Sequence, residues 1–147
     1  MRYLAMEKIV VFTDGGSRGN PGDAAIGVYI ETLNKEYGEC IGHKTNNDAE
    51  YGAILFGLQK VKALLGKEKA KKIHVDMYMD SELAVRQLNH IYKIKEERIQ
   101  KLFMEIWNEM LDFGRVTFTH VPREQNKRAD AMVNYALDNV SRQSNLL

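Results

Sequence analysis

The sequence predicts an α/β fold, a mixed sheet with helices packed on it, and three observations predict it. Apolar spacing alternates along the chain between the period of two of strands and the period of about 3.6 of helices, in the order β-β-β-α-β-α-α-β-α. The first three strands follow one another through short turns and so form an antiparallel meander. The later strands are separated by helices, and strands joined in that way tend to pair in parallel through a right-handed crossover.

Each element has its own reason. Lys8 to Thr13 is short, apolar and β-branched, so it reads as a buried strand ending at Asp14. The glycines that follow, with Asn20-Pro21-Gly22, read as a turn. Ala24 to Leu33 and Glu36 to His43 are two more strands, joined through Asn34-Lys35. Ile54, Leu58, Val61 and Leu65 recur at helical spacing between Asn47, a fitting N-cap, and Gly66, a fitting stop. Ile73, Val75, Met77 and Met79 alternate with polar residues, which is a strand leading to Asp80. Ser81 to Asn89 is a short helix, and Glu96 to Phe113 a longer one with Ile99, Phe103, Ile106 and Met110 on its apolar face. Arg115 to Val121 is the fifth strand, Pro122 to Gln125 a loop, and Asn126 to Asn139 the last helix. Met1 to Ala5 reads as a dispensable extension and Ser141 to Leu147 as a frayed tail.

A chain of 147 residues favours a single domain over 1–147, with a core from about residue 8 to 139. With 21 basic and 20 acidic residues the total charge is nearly neutral, so any surface for nucleic acid must be local. A lone cysteine, Cys40, excludes an intramolecular disulfide and fits a reducing compartment. No apolar run approaches a membrane span and the first residues lack a signal-peptide stretch, so a cytoplasmic protein that makes no membrane contact is expected.

Four acids stand at special places: Asp14 after the first strand, Glu50 in the first turn of a helix, Asp80 after the fourth strand, and Asp130 in the first turns of the last helix. Strand ends and helix starts can converge on one edge of a sheet. Clustered carboxylates repel one another and persist where a cation compensates them. Hard oxygen ligands favour Mg²⁺ or Mn²⁺, and no Cys/His spacing of zinc type is present. Each acid also has a plainer reading. Glu50 lies three residues after Asn47, where a capping-box glutamate would lie. Asp14-Gly15-Gly16 and Asp80-Ser81 fit ordinary turns, and Asp130 fits a solvated acid that favours a helix N-terminus.

The wording of the motifs goes further. Phe12 to Gly22 (FTDGGSRGNPG), Thr45 to Glu50 (TNNDAE), Asp80-Ser81 and Asn126 to Asp130 (NKRAD) resemble, in order and on the right elements, the four motifs of the type 1 ribonuclease H family. The resemblance covers about Lys8 to Asn139. It implies the ribonuclease H-like fold, a five-stranded mixed sheet of order 3-2-1-4-5 with helices on both faces. It implies that Asp14, Glu50, Asp80 and Asp130 are catalytic and hold two Mg²⁺ ions, with Mn²⁺ as an alternative, about 4 Å apart. The implied activity is hydrolysis of the RNA strand of an RNA–DNA hybrid, leaving 5′-phosphate and 3′-hydroxyl ends, by a monomer. Gly15, Gly16, Asn20, Asn46 and Asn47 are the substrate contacts it suggests. Glycines let a sugar approach the backbone, and amides suit a 2′-hydroxyl.

Two departures stand out. Many members carry a histidine in the loop before the fourth motif; here Pro122 to Gln125 has none, and Arg123 or Glu124 is the candidate for its role. Between Leu88 and Ile99 the chain is too short for the basic helical protrusion of well-known members, which points to a compact form, and Trp107 falls in the next helix as a core or half-core residue. Two rival readings remain: a non-catalytic nucleic-acid binder of this fold, and a nuclease of this fold acting on RNA–RNA duplexes or junctions.

Overall fold

The computed structural model describes residues 6–146, with side chains through residue 140. Met1 to Ala5 and Leu147 lie outside the described residues. Five strands form one sheet in the order β3-β2-β1-β4-β5. They are β1 (Glu7–Gly19), β2 (Gly22–Ile30), β3 (Lys35–Lys44), β4 (Ile73–Met79) and β5 (Arg115–His120). β1–β2 and β2–β3 pair antiparallel, β1–β4 and β4–β5 parallel, as the connections require. The helices are α1 (Asn46–Leu65), α2 (Lys67–Ala70), α3 (Glu82–Leu88), α4 (Glu97–Met110) and α5 (Lys127–Leu146).

Two layers of packing hold the sheet. On one face α1 presents Ile54, Leu58 and Val61, all fully buried, to Ile9, Val11, Val28 and Met77. Each such side chain contributes about 1.5–3 kcal/mol when removed from water. α4 closes this layer with Ile99 and Ile106. On the other face α5 lays Val133, Ala136 and Leu137 against Ala25. It comes so close that a Cβ at Gly27 would stand 2.1 Å from the Ala129 carbonyl oxygen, and one at Gly38 2.4 Å from that of Met132.

Several boundaries differ from the sequence reading. β1 does not stop at Thr13: it runs through Asp14 and the glycines, pairing Gly15 with Ile26, Gly16 with Ala25 and Gly19 with Gly22. Only Asn20 and Pro21 make the turn. The N-cap of α1 is Thr45, not Asn47, because Thr45 and Asp48 form a reciprocal capping box. α4 ends at Met110, after which Leu111, Asp112 and Phe113 each bond back three residues, a tightened last turn. The segment read as a frayed tail continues α5 to Leu146. Trp107, read as core or half-core, is 44% exposed.

Candidate active site

The parallel β1–β4 ladder ends at Phe12 opposite Tyr78. Asp14 and Asp80 each follow that last pair by two residues, so they point to the same face at the point where the strands part. Glu50 reaches them because α1 begins against β1: a Cβ on Gly15 would lie 2.1 Å from the Ala49 carbonyl carbon and 2.4 Å from the Glu50 nitrogen. Gly15 therefore lacks a side chain to make room for a helix. Gly16 is not crowded in that way: its Cβ would meet only Val133, at an ordinary contact distance of 3.8 Å.

Asp14, Glu50 and Asp80 each offer a carboxylate oxygen, and these oxygens lie within 4.8 Å of one another. Asp130, on the first turn of α5, lines the same cavity of about 350 Å³, together with Arg123 and Asn46. The acid that caps α1 is Asp48, which leaves Glu50 free of that duty. Burial, then the charges of Asp80 and Asp130 beside it, pushes the Asp14 carboxyl up to about 7. Burial, then the charges of Asp14 and Asp80, raises Glu50 well above the ordinary range. Glu50 Oε2 is buried without a hydrogen-bond partner.

This is an all-oxygen donor set with strained ionisation and one orphaned acceptor. A hard divalent cation answers each feature: it neutralises the repulsion, lowers the raised carboxyls and takes up the orphaned oxygen. The residues present fit a divalent metal ion.

A second cavity adjoins the first through Asn46, Glu50, Asp80 and Arg123, and is lined as well by Asn20 and Asn47. Two of these amides are fixed in orientation. The Ser17 N–H donates to Asn46 Oδ1 at 2.9 Å, and the Asn46 N–H donates to Asn20 Oδ1 at 3.0 Å. Backbone N–H groups can only donate, so both side-chain oxygens are spoken for and both NH₂ groups are left as donors. Ser17 was not among the residues the sequence singled out, and no local spacing reveals its bond to Asn46. Glu124 is exposed and lines neither cavity, whereas Arg123 lines both. His120 ends β5 on an exposed position. The α3–α4 connection spans only residues 89–96, with no helix in it.

Comparison with known proteins bears on this site. The family profile described as reverse transcriptase-like matches residues 12–136. The structure of LC11-RNase H1, isolated from compost by a metagenomic approach, is 43% identical with a TM-score of 0.84, covering 92% of this chain and 99% of that one. A second structure of LC11-RNase H1, in complex with RNA/DNA hybrid, is 41% identical with a TM-score of 0.84, covering 90% of this chain and 98% of that one. RNase H1 from the halophilic archaeon Halobacterium salinarum is 33% identical with a TM-score of 0.81, covering 90% of this chain and 98% of that one. The bifunctional protein Rv2228c of Mycobacterium tuberculosis is 36% identical over 136 residues, 89% of this chain but 36% of that protein, so the chain spans about a third of the length of such relatives. With the sheet order, the acid cluster and the likeness in agreement, the chain belongs to the type 1 ribonuclease H family, in the compact form that lacks a basic protrusion.

Proposed function

We propose that this protein is an endonuclease that hydrolyses the RNA strand of RNA–DNA hybrids, giving 5′-phosphate and 3′-hydroxyl ends. The observation that carries the proposal is the convergence of Asp14, Glu50 and Asp80 within 4.8 Å, with Asp130 on the same cavity. The relative solved with RNA/DNA hybrid supports the substrate class.

Asp14, Glu50, Asp80 and Asp130 are the catalytic carboxylates and would hold two Mg²⁺ ions, with Mn²⁺ able to replace them. When bound, the metal supplies a polarised water and neutralises charge at the scissile phosphate. The protein's own part is positional and electrostatic. The β1–β4 register sets Asp14 beside Asp80, and the missing Cβ at Gly15 brings Glu50 against them. Gly16 leaves the backbone open to a sugar, and Asn20, Asn46 and Asn47 line the adjoining groove. The donor-only amides of Asn20 and Asn46 suit the lone pairs of a 2′-oxygen, which DNA lacks. Arg123, on the rim of both cavities, takes the part of the absent loop histidine by holding a phosphate. We read the chain as one domain and a monomer in the cytoplasm, where its single free cysteine fits a reducing environment.

Labelled RNA–DNA, RNA–RNA and DNA–DNA duplexes, incubated side by side with Mg²⁺ or Mn²⁺, test the proposal. Endonucleolytic cuts in the RNA of the hybrid are the expected result. Intact RNA in the hybrid with either metal would overturn it, and cleavage confined to RNA–RNA would redirect it.

A further inference from the structure

Asp130 borders Asp14 but reaches it from a different element, the first turn of α5. It lies outside the group of three whose oxygens all meet within 4.8 Å of one another, and its helix packs on β2, β3 and the end of β1. α5 docks on β2 and β3: Ala129 and Val133 over Gly27, Met132 over Gly38, and Arg128 stacked 4.2 Å from the Tyr29 ring centroid and paired with Glu36. Those contacts set the height of α5 above the sheet. Toward β1 there is the Arg18–Asp138 ion pair, which is solvent-exposed and so worth little.

Val133 packs beside Gly16, and one buried side chain adds a directional link. Asn126 is 1% exposed, and its Nδ2 donates to the Thr13 carbonyl oxygen at 2.9 Å. Thr13 immediately precedes Asp14 and is the first β1 residue past the parallel ladder with β4. The Asn126 carbonyl in turn accepts from the Asp130 N–H at 3.1 Å, the first turn of α5. The amide thus spans the gap where two strands part, and ties the backbone before one acid to the turn that carries another. The bond comes at a cost: Asn126 Oδ1 is buried with no partner. Leaving such an acceptor unmet is a penalty that an apolar side chain of similar shape would avoid. What the amide supplies in return is position.

We infer that Asn126 is a positioning residue: its amide fixes how far Asp130 stands from Asp14, and so whether the fourth carboxylate joins the other three. This rests on the four-carboxylate reading above.

The test is a double-mutant cycle of Asn126→Ala with Asp130→Asn, read by calorimetric titration with Mn²⁺ alone and by single-turnover cleavage of a hybrid. Asn126→Leu repeats the cycle with the buried volume kept, should alanine destabilise the chain. Loss of a residue that orients a metal ligand typically weakens metal binding or rate by about 10- to 100-fold. That loss is expected for either Asn126 variant in the wild-type background, with hybrid KM changed by less than about twofold because substrate contacts are left intact. In the Asp130→Asn background the same change should add almost nothing. Equal losses in both backgrounds, or unchanged Mn²⁺ affinity and rate, would overturn the inference while the four-carboxylate reading stands. An Asp130→Asn protein with wild-type Mn²⁺ affinity and rate would overturn both.

Discussion

Replacing Gly15 by alanine places a methyl group 2.1 Å from the Ala49 carbonyl carbon and 2.4 Å from the Glu50 nitrogen. Ordinary contact begins near 3.4 Å, so α1 and β1 must separate there by about 1.3 Å. The obstructing atoms are backbone, and no rotamer change relieves them. Overpacking of this kind costs about 1–3 kcal/mol. At this chain length that lowers Tm by roughly 2–12 °C. Glu50 rides on the turn that moves, and misplacing a reacting group by about 1 Å costs on the order of 100-fold in rate. Scanning calorimetry and single-turnover cleavage measure both effects. Gly16→Ala is the internal control: its Cβ meets only Val133 at 3.8 Å, so Tm should hold and any effect falls on hybrid binding. If Gly15→Ala keeps Tm and rate, or if the two variants lose Tm alike, the close approach of α1 is not what demands glycine.

The metal-free protein should lose stability as pH rises from about 4 to 7. The folded state keeps protons on Asp14, raised to about 7, and on Glu50, raised above 4.5, that the unfolded chain has already released. The loss reaches at most about 1.4 kcal/mol per pH unit for each group, and Asp14→Asn should flatten the slope and raise Tm near neutral pH; a denaturation series across that range with chelator present checks it. Asp48→Ala removes the capping box of α1 and should cost about 1 kcal/mol while leaving cleavage unchanged, because Asp48 lines neither cavity of the site. Arg123→Ala should leave Tm alone, raise KM for the hybrid several-fold and flatten the dependence of log KM on log salt by about 0.7–0.9, the signature of one lost phosphate contact. An unchanged salt slope would remove Arg123 from the phosphate.

The sheet order and the four acids were legible because each depends on local wording: alternation in β4, helical spacing in α1, and four short motifs at element ends. The length of β1 was not legible. Glycine signals a turn in sequence, yet Gly15 and Gly16 are strand residues here, and at Gly15 it is the close approach of α1 that leaves no room for a side chain. The cap of α1 turned on a choice between two polar residues. Counting three from Asn47 reaches Glu50, while counting three from Thr45 reaches Asp48, and hydrogen bonds select the second. That choice frees Glu50 for the acid cluster. The bonds from Asn126 to Thr13 and from Ser17 to Asn46 join distant parts of the chain, and no local pattern encodes them. The position of Ser141 to Leu147 at the end of the chain suggested fraying, but the backbone there remains helical through Leu146.

The fixed amides of Asn20 and Asn46 also set terms for inhibitor design. A small molecule entering beside the acids meets two N–H donors whose oxygens are already occupied by the backbone, and the protein cannot flip either amide without breaking a bond at 2.9 or 3.0 Å. Such a compound gains by presenting carbonyl or ether oxygens there and loses by presenting amines. Two analogues differing only by a carbonyl or an amine at that position should bind in that order, and the reverse order would show that the amides turn.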